Sequence, residues 1–179
     1  MILSEEQIQQ WDQDGYLLLK QAIPLSIIED VRQLLSEMVD RIIKELKSED
    51  LIEDEGEDLP FETRLFKVAG THANRFGRSW RNQVAGKAIY DLHHADPLVA
   101  AIGEITGTDV IGHPVFNARP KLPNQQLTVV PWHQDSGYFG AQSESALIPT
   151  AWIPLVPVDE TNGCLQAVSY THLTLPTKA

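Results

Sequence analysis

Val130-Pro131-Trp132-His133-Gln134-Asp135-Ser136-Gly137-Tyr138-Phe139 places a histidine and a carboxylate two residues apart in a stretch that reads as extended. Along a strand the side chains alternate faces, so His133 and Asp135 are expected on one face and Gln134 on the other. An imidazole and a carboxylate on a shared face supply two of the three ligands of the 2-His-1-carboxylate triad of non-heme iron(II) oxygenases. The third ligand should come from another strand, and no residue obviously supplies it. H-x-D alone is a weak signal. Trp132, Tyr138 and Phe139 strengthen it by surrounding two polar groups with aromatic bulk, where unpartnered burial is expensive. The plainer reading stays open: Asp135 accepts hydrogen bonds from the Ser136-Gly137 turn, and His133 sits at a wet barrel mouth.

Working outward, the first half of the chain reads as helical. Ser4 and Gln7 stand in capping-box spacing ahead of Ile8 and Trp11, and Gly15 ends a short helix. Tyr16-Leu17-Leu18-Leu19 reads as a buried strand. A longer helix is predicted from about Pro24 to Ser26 onward. Its residues Ile27, Ile28, Val31, Leu34, Leu35, Met38, Val39, Ile42, Ile43 and Leu46 keep helical spacing, which marks packing surface. The opposite face has ordinary charges without basic enrichment, which argues against a membrane role.

Ser48 to Leu59 holds seven carboxylates and reads as a solvated loop. Arg64-Leu65-Phe66-Lys67-Val68 alternates like a strand, and Gly70 to Asn82 reads as an irregular connection. A second helical region spans about Ala85 to Ile105, with Asp96-Pro97 marking a break and restart. His93 and His94 are adjacent, so they do not share a helix face, and capping or solvent suits both. His72 and His113 have no assigned role. From Asp109 onward the chain reads as strands punctuated by Gly and Pro. The order is helices first and then a β-rich half, an α+β arrangement with helices on one side of a jelly roll.

Composition bounds the function classes. The 179 residues, 42% hydrophobic and 22% charged, suit one globular domain, and the formal charge of −11 argues against nucleic-acid binding. A single cysteine, Cys164, fits a reducing compartment. No signal peptide or membrane span is apparent, so the cytoplasm is the expected location.

Three stretches stand in a known order and spacing: Leu3-Ser4-Glu5-Glu6-Gln7 with Asp14-Gly15-Tyr16-Leu17-Leu18, then Trp132-His133-Gln134-Asp135, then Ala151-Trp152-Ile153-Pro154-Leu155 with Glu160-Thr161-Asn162-Gly163-Cys164-Leu165. In these the chain resembles the phytanoyl-CoA dioxygenase family over about residues 1–168. The resemblance implies a double-stranded β-helix, a cupin-like jelly roll, and an iron(II)- and 2-oxoglutarate-dependent dioxygenase that uses O2 to hydroxylate a small organic substrate. It implies His133 and Asp135 as metal ligands. It also implies Lys67 at the 2-oxoglutarate carboxylate, Asn117 as a hydrogen-bonding amide toward that cosubstrate, and Trp152 packed against it. For Lys67 a surface lysine on a strand edge, and for Trp152 a core tryptophan, are equally simple readings. A retained carboxylate at Asp135 favours hydroxylation over halogenation.

The resemblance lapses after Val168. Residues 169–179 read as an atypical tail, and the family's distal histidine and carboxylate-binding arginine have no counterpart. His172 falls near a family histidine that is not normally the metal ligand. The expectation is therefore a fragment with an incomplete barrel and exposed core. Two other classes remain: a non-catalytic β-domain or inactive fragment, and a zinc-dependent hydrolase, the latter weakened by the lack of a compact zinc motif.

Overall fold

The computed structural model describes residues 2–77, 79–139 and 147–168. Five α-helices fill the first part: α1 (Glu5–Asp14), α2 (Leu25–Ser48), α3 (Phe61–Ala69), α4 (Lys87–His93) and α5 (Asp96–Thr106). Short 3-10 helices cover Gly70–Phe76, Gln126–Thr128 and Asp135–Tyr138.

α1 begins where its cap residues dictate. The Ser4 hydroxyl accepts from the Gln7 amide at 3.2 Å, and the Ser4 amide donates to the Gln7 side chain at 2.8 Å. Gly15 closes the helix in the left-handed conformation, φ 72°, which costs glycine little. α1 buries none of its residues; the start of the chain is fastened instead to α5. Both Glu104 carboxylate oxygens accept backbone amides, from Ile2 at 2.6 Å and Leu3 at 2.7 Å. The Leu3 amide, and then the Ile2 amide, holds the Glu104 carboxyl below its ordinary pKa.

The core forms around α2. Val31, Leu35, Met38, Val39, Ile42, Ile43 and Leu46 are buried along one face, at the spacing that the helical period requires. Leu65 and Ala69 of α3, Ala73, Trp80, Val84, and Ile89 and Leu92 of α4 pack against them. Polar contacts fasten the same elements. Arg64 pairs with Asp40 and donates to the Glu55 carbonyl, and Arg75 grips both Glu49 oxygens at 2.6 and 3.0 Å. Arg32 reaches from α2 to Glu62 at 2.6 Å and to the carbonyl of Leu155, tying residues late in the chain to the helices.

The jelly roll is not seen. Among the described residues there is no β-strand, and the α+β reading gives way to helices followed by irregular chain. Tyr16–Leu19 has no strand partner among the described residues, with Tyr16 and Leu18 exposed. Arg64–Val68 lies in α3 because its short alternation also fits a helical face through Phe61, Leu65, Val68 and Ala69, and only Leu65 and Ala69 are fully buried. Among the described residues beyond Thr108 the backbone bonds outside the short helices are local, such as Cys164 to Asp159, with one long reach from the Trp80 amide to the Ala118 carbonyl at 2.9 Å. Prolines 114, 120, 123, 131, 149, 154 and 157 each remove a donor that a sheet ladder would need. Phe116, Ala118, Leu122, Ile153 and Leu155 still lean on the helical core.

Candidate metal centre

His133 and Asp135 meet by a turn, not by sharing a strand face. Gln134 is extended, and Asp135 opens the 3-10 helix Asp135–Tyr138, closed by Gly137 N–H to the Gln134 carbonyl at 3.1 Å. This fold-back brings His133 Nε2 to 3.3 Å from Asp135 Oδ1. Both side chains keep access to solvent, at 32% and 42% exposure. The Tyr138 ring stands edge-on to the imidazole, with centroids 5.6 Å apart.

The outer atoms of the pair are occupied. His133 Nδ1 lies 2.7 Å from the Pro131 carbonyl, and because a carbonyl only accepts, Nδ1 bears the proton in that contact. Nε2 of the neutral ring is then a bare lone pair facing a carboxylate oxygen. Asp135 Oδ2 accepts the Thr150 hydroxyl at 2.5 Å, which leaves Oδ1 as the oxygen turned to the histidine. Two acceptors converging in this way repel unless a cation joins them, either a second proton on the ring or a metal ion.

The arrangement fits a divalent metal. Adjacent ligands each about 2.1 Å from a metal at right angles stand about 3 Å apart, close to the observed separation. A metal-ligating histidine also normally donates its other N–H to a carbonyl or carboxylate, which fixes the tautomer that Pro131 fixes here. The residues present therefore fit the metal that the sequence implies. They offer two candidate ligands: among the described residues no group of three His, Cys, Asp or Glu side chains is placed to hold an ion.

The other expected site residues lie elsewhere or are differently engaged. Lys67 is exposed in the last turn of α3. Asn117 accepts the Ser79 hydroxyl at 3.1 Å. Trp152, 41% exposed, follows Thr150 by two residues, so the Thr150–Asp135 bond draws its segment toward the pair. His94 caps α4, bonding the Tyr90 carbonyl at 2.8 Å and stacking on the Tyr90 ring. Burial, reinforced by His94, pushes the His93 pKa down. His113 accepts the Val115 amide and meets Phe139 edge-on, and His172 lies outside the described residues. Thr150 and the Pro131 carbonyl were not legible as site groups, since a lone threonine in Leu147-Ile148-Pro149-Thr150 and a main-chain oxygen leave no signature of spacing.

The model of the phytanoyl-CoA dioxygenase family matches residues 11–178, most of the chain. The chain belongs to the phytanoyl-CoA dioxygenase family. No curated protein and no solved structure matches it significantly. Phytanoyl-CoA dioxygenases are enzymes of the iron(II)/2-oxoglutarate oxygenase type, and the family match includes both His133 and Asp135. The match also runs through residues 169–178, whose structure lies outside the described residues. No helix among the described residues of this phytanoyl-CoA dioxygenase family member is long and apolar enough to cross a membrane.

Proposed function

We propose that this protein is an iron(II)- and 2-oxoglutarate-dependent dioxygenase that hydroxylates a small organic substrate, with His133 Nε2 and Asp135 Oδ1 as metal ligands. The observation that supports this most is the 3.3 Å approach of those two atoms while their sister atoms are committed to Pro131 and Thr150. Iron bound there would supply O2 activation coupled to oxidative decarboxylation of 2-oxoglutarate.

The chain's own residues hold and tune. The Pro131 carbonyl keeps the proton on Nδ1 and leaves Nε2 free to coordinate. Asp135 contributes the negative charge that a divalent ion needs. Lys67, Asn117 and Trp152 enter the proposal as candidate 2-oxoglutarate contacts, each tested by whether its alanine variant raises the KM for that cosubstrate. The finding of two ligands among the described residues favours a second reading, a non-catalytic member of the family.

The deciding experiment is an anaerobic Fe(II) titration followed by succinate formation from 2-oxoglutarate under air, for the wild type and His133→Ala. Metal binding and succinate formation that both disappear in the variant support the proposal. Turnover unchanged by the substitution would sink it, and metal binding without turnover would favour the non-catalytic reading.

A further inference from the structure

We infer that Thr150 is a positioning residue for the metal site, which makes Asp135 a ligand through one oxygen only. The inference rests on the proposed reading of His133 and Asp135 as metal ligands. Thr150 lies fifteen residues from Asp135, in a separate segment, yet its hydroxyl is 2.5 Å from Oδ2. A carboxylate can only accept, so the hydroxyl donates, and a contact this short is typical of a charge-assisted O–H···O⁻ bond.

The consequence follows from the freedom of an aspartate side chain. Without a second anchor the carboxylate can swing about its two torsions, offer both oxygens to a metal, or turn toward the backbone amides of its own turn. With Oδ2 held by Thr150, Oδ1 is the oxygen left facing His133 Nε2 at 3.3 Å. The Pro131 carbonyl does the same for the histidine by engaging Nδ1. Each ligand is thus oriented by a partner on its far side, and the Thr150 contact also brings residues 147–152 to the site.

The test uses the full chain and Co(II), with binding read by titration and by the visible absorption of the bound ion, which reports the number and kind of donors. Thr150→Val keeps the shape and removes the donor; Thr150→Ser keeps the donor. The expected result is Co(II) binding about tenfold weaker in Thr150→Val, at the low end for loss of an outer-shell partner because this one is solvent-exposed. The absorption band should shift, the metal-free melting temperature should stay unchanged, and Thr150→Ser should recover both affinity and spectrum. Wild-type affinity and spectrum in Thr150→Val, where His133→Ala has lost binding, would overturn the role of Thr150 and leave the site standing. Loss of metal only together with a lowered melting temperature, unrepaired by serine, would assign Thr150 a structural role and also overturn it. If His133→Ala binds Co(II) as the wild type does, the site reading itself fails and the Thr150 inference with it.

Discussion

Leu46→Ala tests where this protein keeps its core. Leu46 is fully buried on the last turns of α2, in one cluster with Ile43, also fully buried, and with Val84 and Trp80. The substitution removes three carbon atoms from an apolar environment, about 2.4 kcal/mol at ~0.8 kcal/mol each. The surrounding walls belong to α2, α3, α4 and the 80–84 segment, which salt bridges and hydrogen bonds hold in place, so the cavity closes only in part and adds a further penalty. The expected loss is about 3–4 kcal/mol, a large share of a total that is ordinarily about 5–15 kcal/mol. Urea unfolding followed by far-ultraviolet circular dichroism measures it. The control is Ile111→Ala, at a side chain 97% exposed in the irregular region, which should shift stability by no more than about 0.5 kcal/mol. A barrel core in the second half would reverse the order of the two variants. A loss at Ile111 equal to that at Leu46, or a Leu46 loss under about 1 kcal/mol, would refute a core built on α2.

Gly56 is a second stability test: its φ is +58°, and a Cβ there would meet Val68 Cγ2 at 2.5 Å and Leu59 Cδ1 at 2.8 Å, so Gly56→Ala should cost about 2 kcal/mol or more, and an unchanged urea midpoint would refute the close approach. The Arg32 guanidinium beside Glu62 holds that carboxyl below its ordinary value, and such a group adds stability above its unfolded pKa that is lost as pH falls through the folded one. The melting-temperature advantage of the wild type over Glu62→Gln should therefore be present near neutral pH and close below about pH 4, whereas a gap that widens in acid would contradict the pairing. The His133→Ala and Thr150→Val comparisons complete the set, and their metal-binding readouts are independent of these stability measurements.

The helices were legible because their signals are local. Ser4 and Gln7 form the capping box that their spacing predicts, Gly15 ends α1 in the left-handed conformation, and the α2 stripe from Val31 to Leu46 is the buried face. The predicted break at Asp96-Pro97 is the start of α5. The second half was misread because alternation tells which residues would share a face and says nothing of whether another strand lies alongside. Tyr16–Leu19 shows the difficulty within four residues: exposure alternates as in a strand, yet no described residue lies alongside as a ladder partner. Arg64–Val68 failed for a different reason, since five residues are too few to separate a period of 2 from one of 3.6. The closeness of His133 and Asp135 needed no long-range information, as two residues of separation keep them within reach in either conformation. Thr150 required a contact across fifteen residues, which pattern alone does not encode.

The site and the core draw stability from different sources, and that difference links the proposed metal to folding. Among the described residues every buried apolar side chain lies from Leu3 to Ala101, and the one buried residue beyond them is Thr128. Trp132, Tyr138, Leu147 and Leu165 are all well exposed, so at these positions hydrophobic burial contributes little, and Ile153 and Leu155 supply only partly buried contacts with the helical core. Among the described residues, the hydrogen bond between Thr150 and Asp135 joins the 131–135 and 147–152 segments. A weakly packed region opens at lower free energy than the core, and opening would separate the two ligands' supports. A metal that binds the assembled pair and not the opened one stabilises the assembled form by about 2.7 kcal/mol at a hundred times its Kd. On the proposed reading, the ion would then be a principal source of order in the segment that binds it. Pro131, with its fixed φ and its carbonyl on His133, limits how far that order must be built from nothing.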